Sequence, residues 1–275
     1  MNRLAYSLVA ALAIALFGIA AYFWLSQRDG ADEPVAAAPP SPPAAAVPAP
    51  PPAPPASAVR HPIEPAASAA GAEPPTVEKA LTDLFGRKAV LSLFQLDDFP
   101  RRFVATVDNL ARAHAPPRVW PVNPAEGRFT VATQDGKTVV GADNALRYTP
   151  YILLLETVDL RQAAAAYRAL YPMFQHAYVE QGYPQGYFND RLVEVIDHLL
   201  RTPEPAGPLE VYLPEIKGPV QPERPWVLYE FADPALASLS AGQKMLLRMG
   251  PVNQRRVKGR LEELRRLVAA PAAGN

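Results

Sequence analysis

The run DLRQAAAAYRALYPMFQHAY, Asp159 to Tyr178, decides the fold class. Leu160, Ala164, Tyr167, Tyr171, Phe174 and Tyr178 recur at three- and four-residue steps, the spacing that places side chains on one face of an α-helix. Asp159 stands where a helix N-cap belongs, and Gly182 with Pro184 stands where the helix must stop. Pro172 lies inside the pattern and carries no N–H, so it leaves the Arg168 carbonyl without its helical donor and predicts a kink. A row of tyrosines can form a sugar-stacking surface, but at this spacing it reads as core with hydroxyls at the rim.

Outward from this helix the signals stay mostly helical. Thr149 and Pro150 start a short helix through Tyr151–Leu155, far too short for a membrane span. Thr76 can cap a helix carrying Val77, Leu81, Leu84 and Leu91, with Gly86 as its weak point. Asp97 or Asp98 opens another, with Phe99, Phe103, Val107 and Leu110 inward and Pro116-Pro117 as its end. Asp135-Gly136 between 128–133 and 137–140 is a hairpin signal. Gly136-Lys137-Thr138 imitates a phosphate-binding loop, but Val131 occupies the position where that loop needs glycine. Strands are expected at Leu209–Leu213 and Trp226–Phe231, around a proline-laden loop from Pro214 to Pro225. Ser240 with Gln243 makes a capping box, Gly250 ends that helix and Pro251 starts the last one. The expected class is α+β: a predominantly helical globular domain with small hairpin and strand elements.

The stretch YFNDRLVEVIDHLL, Tyr187 to Leu200, is densest in possible chemistry. Helical projection puts Leu192, Val195, Ile196 and Leu199 on one side, and Asp190, Glu194, Asp197, His198 and Arg201 on the other. Glu194 and His198 are four residues apart, so a carboxylate can orient an imidazole. A hydrolase would use Glu194 or Asp197 as general base and His198 as acid or metal ligand, and it requires all three in a pocket beside Tyr183 or Asp108. Zinc needs a third and usually a fourth ligand. No neighbouring His or Cys supplies one, so neither metal nor cofactor is expected. The plainer alternative is a solvated face of paired charges, with no catalytic residue at all. His114 and His176 are solitary.

In the last helix Val257, Leu261, Leu264 and Val268 face inward, while Arg255, Arg256, Lys258, Arg260, Arg265 and Arg266 face out. Arg255, Arg256 and Lys258 are candidates to meet an anionic surface. Glu262 and Glu263 dilute the basic face, and without interleaved aromatics it suggests no nucleic-acid partner.

Upstream the composition changes. Residues 26–75 are dominated by Pro and Ala, which supply neither a helical hydrogen-bond ladder nor enough large side chains for a core, so a disordered tether is expected there, His61 included. Before it, Leu4–Leu25 is an uncharged apolar run. Its roughly 22 residues at about 1.5 Å each match a hydrocarbon core of about 30 Å. A cleaved signal peptide ending near Gly18-Ile19-Ala20 is the rival. However, the run continues through Tyr22, Phe23, Trp24 and Leu25, which read as an interfacial belt of an uncleaved anchor. Arg3 gives a slight bias toward residues 1–3 in the cytoplasm and the remainder in the periplasm. The absence of cysteine excludes disulfides, thiolate metal sites and a cysteine nucleophile. The balance of 27 Lys+Arg against 27 Asp+Glu points to no polyanionic partner.

Several stretches carry a family resemblance: Arg102–Leu110, Tyr171–Gln175, Asn189–Leu200, Tyr229–Pro234, and Leu239 through Gly250-Pro251 to Lys258. On these the chain resembles a bacterial envelope family designated DUF3014, a domain of unknown function. The resemblance implies a single-pass anchor, a proline-rich linker and this domain; the expected bounds are 76–270 for the globular domain and 271–275 for a disordered tail, with Leu4–Leu25 in inner-membrane lipid. It supplies no catalytic residues. The expected role is a non-enzymatic module that meets an envelope protein or cell-wall component.

Overall fold

The computed structural model of the protein describes residues 58–63, 75–215 and 223–269. The apolar run Leu4–Leu25, most of the linker and the tail lie outside them. No helix among the described residues is long and apolar enough to cross a membrane.

The Thr76 hydroxyl accepts from Lys79 N at 3.2 Å and opens α1, Val77–Phe85. The helix expected to continue to Leu91 breaks at Gly86, where φ is +77°, and restarts as α2, Arg87–Leu93. The break resets the helical phase, so Val90 enters the core and Leu91 is exposed. In α3, Phe99–Leu110, Asp98 sits at the N-cap in the left-handed region and makes no side-chain cap bond. This helix stops at Leu110, short of Pro116-Pro117; Pro117 begins a 3-10 turn, Pro117–Val119.

The hairpin forms as expected. Strands β1, Val131–Gln134, and β2, Lys137–Val140, pair antiparallel with Gln134 opposite Lys137. Asp135 and Gly136 both have positive φ, as a type I′ turn requires. A 3-10 segment, Ala142–Tyr148, leads into α4, Thr149–Thr157. Asp159 Oδ1 then accepts from Arg161 N and Gln162 N at 2.8 and 3.1 Å and opens α5, Leu160–Glu180, which carries Pro172 inside it. Next come α6, Phe188–Leu200, and the short antiparallel pair β3, Val211–Tyr212, and β4, Glu230–Phe231. The expected strand Trp226–Phe231 shrinks to its last two residues because Pro225 begins a 3-10 turn, Pro225–Val227; proline cannot donate to a ladder. A single turn, α7 (Pro234–Ala237), precedes α8 (Ala241–Arg248), where the capping box of Ser240 and Gln243 is present. Gly250, φ +82°, turns the chain into α9, Pro251–Val268.

Helix α5 packs against α3, and α6 contacts α3, α5 and α9; α8 touches both α3 and α9. Phe188 is fully buried among Phe103, Phe174 and Tyr178. The tyrosine row belongs to this core: Tyr171 and Tyr178 are buried. Loss of hydration pushes the phenols of Tyr167 and Tyr171 up and that of Tyr178 up to about 12. Close approach matters at Gly242, where an added Cβ would lie 2.6 Å from Leu199 Cδ2 and 2.9 Å from the Leu110 carbonyl oxygen. A second small core of Val211, Phe231 and Leu247 joins the strands to α8.

Composition alone reads the linker as running unbroken to Pro75, but residues 58–63 lie on the domain. The Asp190 carboxylate accepts from Arg60 N and His61 N at 3.0 and 2.7 Å, Ile63 N donates to Tyr187 Oη at 2.7 Å, and Ile63 is buried in the core. Fully buried Asn189 holds the strap from below, its Nδ2 donating to the carbonyls of His61 and Val268.

Candidate functional site

The candidate acid–base residues on α6 do not converge. The Glu194 carboxylate is bound by Arg191, Nη1 to Oε1 at 2.9 Å. Asp197 is held by the Arg265 guanidinium, whose Nη2 lies 3.0 Å from Oδ2; that pairing keeps the carboxyl below its usual range. The His198 imidazole makes no hydrogen bond to either, and its Nε2 is buried without a partner among the described residues. None of the three lines the cavities described below. No set of three or more His, Asp or Glu side chains positioned to hold a metal occurs among the described residues.

Burial depresses the His198 pKa, with Arg201 and Arg191 adding to the effect against Glu194. The unfolded chain therefore binds a proton near 6.5 that the folded chain resists. Stability contributed here is present above about pH 6.5 and is lost as pH falls toward the lower folded value. Urea unfolding at pH 7.5 and 5.5 should show wild type losing more stability on acidification than His198→Gln. Equal losses in the two proteins would contradict this assignment.

Asp108 and Tyr183 do belong to one network. Asp108, 6% exposed, takes Arg112 Nη2 on Oδ2 at 2.7 Å, Arg191 Nε on Oδ1 at 2.8 Å and the Tyr183 hydroxyl at 3.1 Å. Both residues line a cavity of about 510 Å³ with Arg101, Arg102, Arg118 and Gln181. Arg191 alone links this network to Glu194.

Of the basic side chains expected to face out from α9, Arg255, Arg256 and Arg266 are exposed, whereas Lys258, Arg260 and Arg265 turn onto the domain. Lys258 is folded in, donating to the Thr202 carbonyl at 2.6 Å and to Glu204 at 2.8 Å. Arg260 donates to the carbonyls of Leu155 and Val158 as well as to Glu263. Arg256 pairs with Glu156 at 3.4 Å and Arg255 with Glu204 at 3.9 Å. Backbone carbonyls at the ends of neighbouring elements need donors, and these side chains supply them.

Unpaired positive charge collects instead in a cleft of about 800 Å³. Arg128, Arg147, Arg224, Lys244 and Arg248 line it, and Glu230 is the single carboxylate residue among its walls. None of the five cations is in a salt bridge among the described residues, which is also true of Arg102, Arg118 and Arg168 elsewhere, and Arg147, Lys244 and Arg248 donate instead to the carbonyls of Glu126, Ala237 and Tyr229. Trp120, Phe129, Tyr148, Trp226 and Tyr229 supply flat apolar walls. Arg128 lies over Trp226, its guanidinium carbon 4.4 Å from the ring centroid, and Arg248 lies near the rings of both Phe129 and Phe231. Burial pulls the Arg248 pKa down from its ordinary value. The sequence reading missed this site because its walls come from segments with no common period. The one available signal was the recurrence of arginine beside an aromatic, in Arg128-Phe129, Arg147-Tyr148 and Arg224-Pro225-Trp226.

Fold and site together define a mostly helical α+β domain with a cation- and aromatic-walled cleft. The family model for a protein of unknown function, DUF3014, matches residues 99–265, and the chain belongs to that family. No curated protein and no solved structure matches it. The matched region begins at α3, so α1, α2 and the strap at 58–63 lie ahead of it although α1 and Ile63 share its core.

Proposed function

We propose that this chain is a non-enzymatic binding module of the bacterial envelope. Leu4–Leu25 anchors it in the inner membrane, and the linker carries the domain into the periplasm. The length and interfacial aromatics of the apolar run support the placement. The observation that carries the binding role is the cleft, in which five cations stand against one carboxylate. Arg147, Lys244 and Arg248 are half-buried with backbone carbonyls but no carboxylate as partners among the described residues; a cation held partly out of water without a counter-charge favours a ligand that supplies one. By contrast Glu194 and Asp197 are each occupied by an arginine.

Protease added to spheroplasts should digest the domain while cytosolic markers survive, and the chain should fractionate with inner membrane. A domain protected along with the cytosolic markers would overturn the placement. For binding, a photo-crosslinking amino acid at Val227, an exposed residue of the cleft wall, should give an adduct in intact cells that the same group at exposed Met173 does not. Equal labelling from both positions would overturn the assignment of the cleft.

A further inference from the structure

Resting on the cleft as the binding site, we infer that its ligand is a small molecule joining an anionic head, phosphate or carboxylate, to a flat ring, with the head met by Arg128, Arg224 and Arg248. A volume of about 800 Å³ lies within the roughly 300–1,000 Å³ usual for small-ligand sites. The lining chemistry has two halves, and each excludes a simpler ligand. A bare inorganic anion would satisfy the guanidinia and leave unused the ring faces of half-buried Trp120 and Tyr148, which also line the cleft. A neutral ring would cover those faces and further dehydrate cations that already lack a counter-charge.

Two of these three guanidinia, Arg128 and Arg248, are held before any ligand arrives. Arg128 is stacked on Trp226, and Arg248 donates from Nη2 to the Tyr229 carbonyl at 2.9 Å while lying near Phe129 and Phe231. Stacking fixes the plane of a guanidinium and leaves its edge N–H groups free, the geometry that receives phosphate or carboxylate oxygens in pairs. Arg147 differs, since Nε is already committed to the Glu126 carbonyl at 3.0 Å; its role is to hold the loop that carries Arg128. Glu230 accepts from the Tyr212 hydroxyl at 2.9 Å, so its carboxylate has a partner outside the five cations.

The test uses the full chain in nanodiscs of zwitterionic lipid, titrated calorimetrically with 1-naphthyl phosphate, 1-naphthoate, 1-naphthol and inorganic phosphate. Empty nanodiscs correct for partition into lipid. The two naphthyl anions should bind, with affinity falling as salt rises, and both inorganic phosphate and naphthol should bind at least about tenfold more weakly, since each loses one of the two sets of contacts. Arg128 and Arg224 are exposed, so the double variant Arg128→Gln/Arg224→Gln should fold as wild type. It should lose about tenfold or more in affinity for the naphthyl anions, with a shallower salt dependence, while exposed Arg266→Gln changes nothing. The relative strength of phosphate and carboxylate identifies the head group. Naphthol binding as tightly as its phosphate ester, phosphate alone binding as tightly as the ester, no binding of either naphthyl anion, or an unchanged double variant would each overturn the ligand class. The crosslinking experiment decides separately whether the cleft is a binding site at all.

Discussion

Asn189→Ala should destabilise the domain by about 3–4 kcal/mol and release the strap at 58–63. The side chain is fully buried. Its Oδ1 accepts from the Tyr167 hydroxyl at 3.1 Å, and its Nδ2 donates to the carbonyls of His61 at 2.8 Å and Val268 at 2.9 Å. Truncation strands three polar groups, and leaving one unmade costs about 1–3 kcal/mol, with the lower figure applying where water can enter. The bond to His61 is on the surface side, so water will take part of that loss. The bond to Val268 is buried and anchors the end of α9 on α6. Asn189→Asp should be worse than Ala, because a second acceptor would face two carbonyl oxygens in a dry site. Urea unfolding measures the cost, and hydrogen exchange should show residues 60–63 losing protection in the variant. A loss under about 1 kcal/mol would mean that the pocket rearranges to satisfy all three groups.

How much of this was legible beforehand depends on the range of the interaction. Asp159, Ser240 with Gln243, and Asp135-Gly136 act within four residues, and the elements they start or turn stand where the sequence puts them. The predominantly helical class follows from apolar spacing, and Leu192, Val195, Ile196 and Leu199 are all buried as projected. What failed was either punctuation or long-range pairing. Apolar spacing reads Gly86 as a weak point inside one helix, yet its positive φ makes it a boundary, and the exposure of Leu91 follows. Trp226 has strand composition, but Pro225 directs it into a turn. The outward charges of α9 were read from projection, which cannot show that Arg260 meets the end of α4 more than 100 residues away.

The strap shows the same limit from the other side. Pro/Ala composition describes what a segment cannot build for itself, and says nothing of a surface elsewhere that will bind it. At 58–63 that surface is the start of α6, where Asp190 and Tyr187 accept strap N–H groups and Asn189 donates to a strap carbonyl. Asp190 lies in the first turn of its helix, the end where a carboxylate is favoured on its own account. A residue that looks like solvated charge in projection thus pins the strap to the domain. The α6 face carries the most suggestive run of residues in the sequence, and its carboxylates are engaged within the domain: Asp190 by the strap, Glu194 and Asp197 by arginines.

Asp108→Ala should cost about 2–3 kcal/mol, and the comparison with its partners should locate that cost on Arg191. Removing one member of a buried pair ordinarily costs about 3–5 kcal/mol, because the remaining charge stays behind unpaired. Here Arg191, its side chain 18% exposed, keeps two contacts after the substitution, Glu194 and the backbone carbonyl of residue 108, so the lower range applies. Arg112, its side chain 50% exposed, can return to water and should couple to Asp108 by less than about 1 kcal/mol in a double-mutant cycle. Coupling between Asp108 and Arg191 should be larger, and Asp108→Ala/Arg191→Met should recover part of the single-variant loss, since the stranded charge is then gone. Tyr183→Phe removes a hydroxyl that donates to Asp108 at 3.1 Å and accepts from Arg112; because half-exposed Arg112 can turn to water, the cost should be about 1 kcal/mol. Equal coupling of Asp108 to Arg112 and to Arg191 would mean that burial does not decide the energetics of this network.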